Sequence, residues 1–216
     1  MLKGKRLSIL GDSVSTYYGV SNDIEANTEI GGNPSYYFKR HFPVENAYWR
    51  IVLDKYGMTL CVNNSYSGGN LSGRDNPCSG VNRVSSLSRN TGEAPDLIII
   101  FMGLNDLGRN VDINVFESDY LLTLETVRKK YSGAKVCCVN MPIRPDFMVE
   151  RTRLMNSVID DAVGKMGEGF FVARLSDHVF KDYDDFYMNT LDGLHPDPDG
   201  MRIIANAVIW AIERYL

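Results

Sequence analysis

Two spacings of apolar residues alternate along this chain. Short apolar runs occur at "RLSILGD", "TLCVNNS", "PDLIIIFMG", "AKVCCVNMP" and "FFVARLSD", and each predicts a strand. Between them, apolar residues recur every three or four positions, the period of a helix with one buried face. In "VENAYWRIVLDKYG" that face carries Trp49, Val52, Leu53 and Tyr56, and Gly57 follows as a stop. Tyr120, Leu124, Val127 and Tyr131 form the stripe in "FESDYLLTLETVRKKYSG", with Gly133 as its predicted end. Met155, Val158, Ile159, Ala162 and Met166 repeat it in "RTRLMNSVIDDAVGKMG". In the last stretch, "DPDGMRIIANAVIWAIERYL", Pro198 suits a first helical turn. Strands alternating with helices predict βαβ units, hence an α/β fold with a mostly parallel five-stranded sheet. The unbroken apolar run in "PDLIIIFMG" marks a strand covered on both faces.

One segment interrupts this rhythm. Residues 14–44, between the first strand and its helix, are rich in Tyr, Asn and Gly and far longer than a usual βα loop. Such excursions commonly carry function. No repeat, linker or low-complexity tract divides the chain, and 216 residues suit a single domain spanning 1–216. With 44% hydrophobic and 23% charged residues, the composition is that of a folded globular protein. A net charge of -4 without a Lys/Arg block argues against nucleic acid as a partner. No apolar run is long enough to span a bilayer, and the N-terminal run stops at Gly11-Asp12 without a cleavage pattern, so a cytoplasmic, non-membrane protein is expected. The four cysteines lack a C-x-x-C spacing and read as reduced thiols, with Cys137 and Cys138 pointing to opposite faces of their strand.

Ligands of open α/β sheets bind beyond the carboxyl ends of the strands, so those ends are where chemistry is sought. Gly11-Asp12-Ser13 follows the first strand, "NNSYSGGN" ends the second, and "GLND" (Gly103 to Asp106) ends the third. "LDGLHP", with Asp192 and His195, precedes the last helix. Together these supply the parts of acyl transfer. Ser13 is a candidate nucleophile, inert without a base, and His195 is the candidate base. Asp192, three residues before His195, is close enough to orient its imidazole, in the chain order Ser, Asp, His. The backbone N–H groups of Ser13 and Gly68 and the side-chain amide of Asn105 are candidate oxyanion donors, with Gly69 the alternative to Gly68.

These four blocks resemble those of the SGNH (GDSL-type) hydrolases, with Ser13, Gly68, Asn105 and His195 as the name residues and Asp192 as the third triad member. Val14 stands where the GDSL name has Leu. The resemblance implies a flavodoxin-like three-layer α/β/α sandwich and ester hydrolysis without metal or cofactor. The expected substrate is a small-molecule ester bearing a short acyl group. The polar, aromatic loop 14–44 points to a carbohydrate or glycoside ester, with Tyr17, Tyr18, Tyr36 and Tyr37 as candidate stacking faces. A lipid-like ester, as for a lysophospholipase, thioesterase or acetylhydrolase, is the alternative, and a non-catalytic ligand-binding domain is the rival of another class. Composition and motifs leave the oligomeric state open.

Other features carry blander readings. Asp106 is expected to be structural, and His41 and His178 lack a partner at useful spacing. Asp182, Asp184, Asp185, Asp197 and Asp199 lack a full calcium-loop pattern and read as turns or caps. Ser132 and Lys135 fit an S-x-x-K pattern without the K-T-G that would give it meaning.

Overall fold

A computed structural model of the chain describes residues 2–20, 35–143, 148–175 and 189–216. Five strands form one sheet: β1 (Arg6–Gly11), β2 (Thr59–Ser65), β3 (Leu97–Phe101), β4 (Lys135–Val139) and β5 (Phe170–Ala173). Their order is β2-β1-β3-β4-β5 and every pairing is parallel. This is the flavodoxin-like order, whose direction reverses between β1 and β3. Every residue of β3 is buried, as its unbroken apolar run requires.

Six helices are described: α1 (Tyr48–Tyr56), α2 (Gly80–Arg83), α3 (Leu104–Gly108), α4 (Ile113–Lys130), α5 (Val149–Met166) and α6 (Pro198–Tyr215). α1 packs with α6, and α4 with α5, giving a helical layer on each side of the sheet. The predicted stripes are the buried faces: Trp49, Val52 and Leu53 on α1, Tyr120, Leu124 and Val127 on α4, and Met155, Ile159 and Ala162 on α5. Burying one such Leu, Ile or Val side chain stabilises the fold by roughly 1.5–3 kcal/mol. Gly57 ends α1 at φ 62°, a left-handed conformation open to glycine at little cost. At the start of α6, the Asp197 carboxylate accepts from the N–H groups of Asp199 and Gly200, and Pro198 occupies the first turn.

The end of α4 differs from the periodic reading. α4 ends at Lys130, before Gly133, because Tyr131 is held by the tertiary structure. Its hydroxyl accepts from the Leu87 N–H and donates to the Ser85 carbonyl, both at 2.8 Å. The four cysteines are free, with Cys61, Cys137 and Cys138 buried. Among the described residues, no helix is long and apolar enough to cross a membrane.

Strand register explains where the chemistry gathers. Gly11, the last residue of β1, pairs with Ser65 at the end of β2 and with Phe101 at the end of β3. The chain beyond each strand therefore emerges on one edge: Ser13 after β1, Gly68 after β2, and Asn105 after β3. Ser13 and Asn105 flank the point where strand order reverses.

Candidate active site

Gly11 lets the chain turn back sharply after β1. A Cβ there would lie 2.4 Å from Ser15 Cβ and 2.7 Å from Ser65 Oγ, so any other residue would force the turn apart. Ser13–Ser15 then form a single 3₁₀ turn, capped by Asp12 Oδ1, which accepts the Val14 N–H at 3.0 Å. Behind it, the Ser15 carbonyl accepts from Trp49 Nε1 and Asn63 Nδ2, each at 3.0 Å. Ser13 is thus displayed on a braced backbone.

His195 reaches Ser13 from the segment before α6. A bridge between Thr190 and Pro196 closes that segment, with the Leu191 N–H donating to the His195 carbonyl at 2.8 Å. Inside it Asp192 Oδ1 accepts the N–H groups of Leu194 at 3.0 Å and His195 at 2.8 Å. This local Asx turn aims Asp192 Oδ2 at His195 Nδ1, 2.9 Å away. His195 Nε2 lies 3.0 Å from Ser13 Oγ. An ionised carboxylate only accepts, so Nδ1 carries the imidazole proton and Nε2 is free to take the serine's. The arrangement can move a proton from Ser13 to His195.

Electrostatics poise these groups. Burial raises the Asp192 carboxyl, but hydrogen bonds from Tyr36, the His195 N–H and the His195 ring outweigh it and hold Asp192 well below the usual carboxylate range. Burial lowers the His195 imidazole, more than the bond and charge of Asp192 raise it. A depressed pKa keeps His195 neutral, and able to accept a proton, further into acid. The acid limb of kcat/KM is therefore expected below the ordinary ~6.5 of histidine. A pH–rate profile with its acid limb at or above that value would contradict this.

Asn105 and the loop after β2 meet at the same edge. Asn105 Nδ2 donates to the Gly69 carbonyl at 3.1 Å and lies 3.4 Å from Asp12 Oδ2. The second contact is long, so a developing oxyanion could take that N–H from Asp12. Asp106 accepts the N–H groups of Leu71 at 2.7 Å and Ser72 at 2.9 Å, and so ties the loop after β2 to α3, the structural role expected of it. Within that loop the Gly69 N–H is committed to the Tyr66 carbonyl at 2.9 Å. Gly68, at φ 77°, is the better placed of the two to offer its N–H.

Two arginines here had no motif to announce them. Arg109, which caps the end of α3, donates to the Gly68 carbonyl at 2.7 Å and to Asn70 Oδ1. Arg83 is buried; its guanidinium donates to the carbonyls of Gly11, Cys78 and Asn64. Burial pushes Asp12 up to about 7, although the Val14 N–H and the Arg83 charge pull it down.

The four tyrosines part company. Tyr17 and Tyr37 are buried, with hydroxyls donating to the carbonyls of Phe42 and Pro196, so they brace the fold and offer no face to a substrate. Tyr36 lies against His195 and Asp192. Tyr18 is 65% exposed and stacks on Phe38. Residues 21–34 of the long loop, together with His178, Asp182, Asp184 and Asp185, lie outside the described residues. His41 stacks on Tyr36 and accepts the Phe38 N–H, and Asp199 pairs with Arg202. Among the described residues, no three His, Cys, Asp or Glu side chains cluster as a metal ion would need.

Ser13 opens into a cleft of about 170 Å³, walled by Val14, Leu104 and Leu194 and rimmed by Asn105, Gly108 and Arg109.

Residues 9–203 match the GDSL-like Lipase/Acylhydrolase family. The chain belongs to that family. No curated protein matches this GDSL-like hydrolase in sequence. Solved structures similar to it include a candidate GDSL-like lipase from Bacteroides ovatus, 20% identical with a TM-score of 0.73, covering 98% of this chain and 99% of the other. The psychrotrophic esterase EstA from Pseudoalteromonas sp., inhibited by monoethylphosphonate, is 16% identical with a TM-score of 0.67 and 98% coverage of each chain. A family 3 carbohydrate esterase from Clostridium thermocellum is 19% identical with a TM-score of 0.65, covering 98% of this chain and 96% of the other.

Proposed function

We propose that this GDSL-like hydrolase is a serine esterase that removes a short acyl group from an oxygen ester of a carbohydrate or glycoside. The observation that carries the reading is the unbroken relay from Ser13 Oγ through the His195 imidazole to Asp192, with contacts of 3.0 and 2.9 Å. Ser13 Oγ attacks the ester carbonyl as its proton passes to His195 Nε2. The carbonyl oxygen becomes an oxyanion facing the N–H groups of Ser13 and Gly68 and the amide of Asn105. Collapse breaks the acyl–oxygen bond, and His195 returns the proton to the departing alcohol. Water, deprotonated by the same histidine, then releases the acid and restores Ser13.

Cleft size supports a short acyl group. Its roughly 170 Å³ falls below the roughly 300–1,000 Å³ of pockets that enclose drug-sized ligands. Three apolar walls suit a few methylenes, and the polar side chains of Asn105 and Arg109 at the rim suit hydroxyls of the alcohol. Of the four tyrosines, Tyr18 is the most exposed, at 65%, and is the proposed sugar contact.

The test is a set of p-nitrophenyl esters of rising chain length beside acetylated sugars. Turnover should be highest with the shortest chains, and acetylated sugars should be cleaved. Preference for long-chain esters would end the carbohydrate reading. Asn105→Ala is expected to lower kcat by about 10²–10³, because it removes a donor whose partner is fully charged only near the transition state. Unchanged kcat with a raised KM would instead make Asn105 a ground-state contact.

A further inference from the structure

The Tyr36 side chain touches both His195 and Asp192. Its ring lies nearly parallel to the His195 imidazole, with centroids 3.5 Å apart and planes 14° from parallel. Its hydroxyl donates to Asp192 Oδ2 at 2.6 Å. That is the oxygen to which His195 Nδ1 also donates. Asp192 therefore receives four donors: the N–H groups of Leu194 and His195 on Oδ1, and His195 Nδ1 and Tyr36 Oη on Oδ2. A carboxylate so surrounded cannot rotate without breaking several charge-assisted bonds.

The placement of Tyr36 is itself fixed from the serine side. Its N–H donates to Thr16 Oγ1 at 2.9 Å, and that hydroxyl donates to the Ser13 carbonyl at 2.7 Å. The chain that leaves the sheet at Ser13 thus returns to close over His195. Tyr37 meets the Tyr36 ring edge-on, and the His41 ring stacks on it at 5.5 Å. The His195 ring covers the face of Tyr36 on which it stacks and closes that face to a sugar.

We propose that Tyr36 is a positioning residue of the hydrolytic relay: its hydroxyl locks Asp192 and its ring shields the His195 imidazole from water. This rests on the reading of Ser13, His195 and Asp192 as that relay. The two contacts have separable consequences. Loss of the hydroxyl leaves Asp192 Oδ2 a stronger partner for the imidazolium, so His195 becomes more basic. Loss of the ring admits water to the imidazole and relieves the burial that most depresses its pKa. Both changes move the acid limb of the rate profile to higher pH.

The groups facing His195 are Asp192, Tyr36, Ser13, the Tyr37 ring and His41, whose charge opposes protonation of His195. Tyr36→Phe and Tyr36→Ala are therefore compared with the unsubstituted residue in a common His41→Gln background, which removes the charge of position 41 from the comparison. Tyr36→Phe is expected to lower kcat roughly tenfold, in line with loss of a hydrogen bond to a charged group. KM should hold steady, and p-nitrophenyl acetate and an acetylated sugar should be affected alike. The acid limb should rise in Tyr36→Phe and rise further, by about one pH unit, in Tyr36→Ala. Should Tyr36→Ala fold poorly, Tyr36→Phe keeps the ring and still reads the hydroxyl's part.

A Tyr36→Phe profile that superimposes on its parent after scaling overturns the proposal, and so does a loss confined to the sugar ester. Labelling by a phosphonate ester, located by mass spectrometry, separates the two levels of the argument. Ser13 labelled with an unmoved acid limb refutes the role of Tyr36 alone. Full activity in Ser13→Ala refutes the relay and the role of Tyr36 with it.

Discussion

Ser13→Ala is expected to abolish ester hydrolysis, with a loss in kcat on the order of 10⁶-fold, the scale seen when a serine protease loses its nucleophile. The hydroxyl's contact is His195 Nε2, 3.0 Å away, and alanine retains everything else the residue does. Its carbonyl still accepts from the Thr16 N–H and hydroxyl, and the turn is still capped by Asp12. Stability should therefore change by less than about 1 kcal/mol, or roughly 2–4 °C in Tm for a chain of this size. Turnover of p-nitrophenyl acetate and a calorimetric melt on the same preparation check both halves. Near-normal turnover in a folded Ser13→Ala protein would end the serine-nucleophile reading.

The separation of the proposed chemistry from the scaffold at Ser13 reflects what a sequence exposes to reading. Helical stripes such as Tyr120, Leu124 and Val127 are local periodicities, so the layers could be assembled from them before any contact was known. Parallel strand order then brings distant residues to one edge, which is how Ser13 and His195, 182 positions apart, come into contact. The Asp192–His195 spacing was legible for a different reason: an Asx turn is built within four residues and needs no tertiary partner. α4 shows the opposite case. Its end at Lys130 is set by bonds from Tyr131 to Ser85 and Leu87, and nothing near Gly133 records them.

Side-chain roles in the long loop were the least legible part. A tyrosine in a polar stretch looks the same whether its ring faces solvent, core or histidine. Tyr37 is fully buried because its hydroxyl reaches the Pro196 carbonyl, next to His195, and Tyr36, one position earlier, faces the imidazole instead. Arg83 and Arg109 escaped notice on the same grounds. Each serves backbone carbonyls of loops far away in sequence, and carbonyls leave no trace in residue type. What distinguishes Gly68 from Gly69 as candidate donors is likewise one backbone bond, from the Gly69 N–H to the Tyr66 carbonyl.

Asp192→Asn tests the part of the relay that charge alone sets. The carboxylate accepts at all four of its contacts, two on each oxygen. An amide has one oxygen and one NH₂, so it can satisfy only one pair. The backbone N–H groups of Leu194 and His195 cannot change their polarity, and they retain the oxygen. The NH₂ then faces His195 Nδ1, which must become an acceptor, and the imidazole proton moves to Nε2. There it points at Ser13 Oγ, where a base is needed. The expected loss in kcat is about 10⁴-fold, as for the same change in a serine-protease triad, with KM for a small ester little altered. Tyr36 also loses its acceptor, so adding Tyr36→Phe to Asp192→Asn should cost little more, whereas independent effects would multiply. A steady-state comparison of the two single variants with the double variant reads both points. If Asp192→Asn kept activity within tenfold of the parent, the orientation of His195 would have to come from elsewhere, and full multiplication of the two losses would uncouple Tyr36 from Asp192.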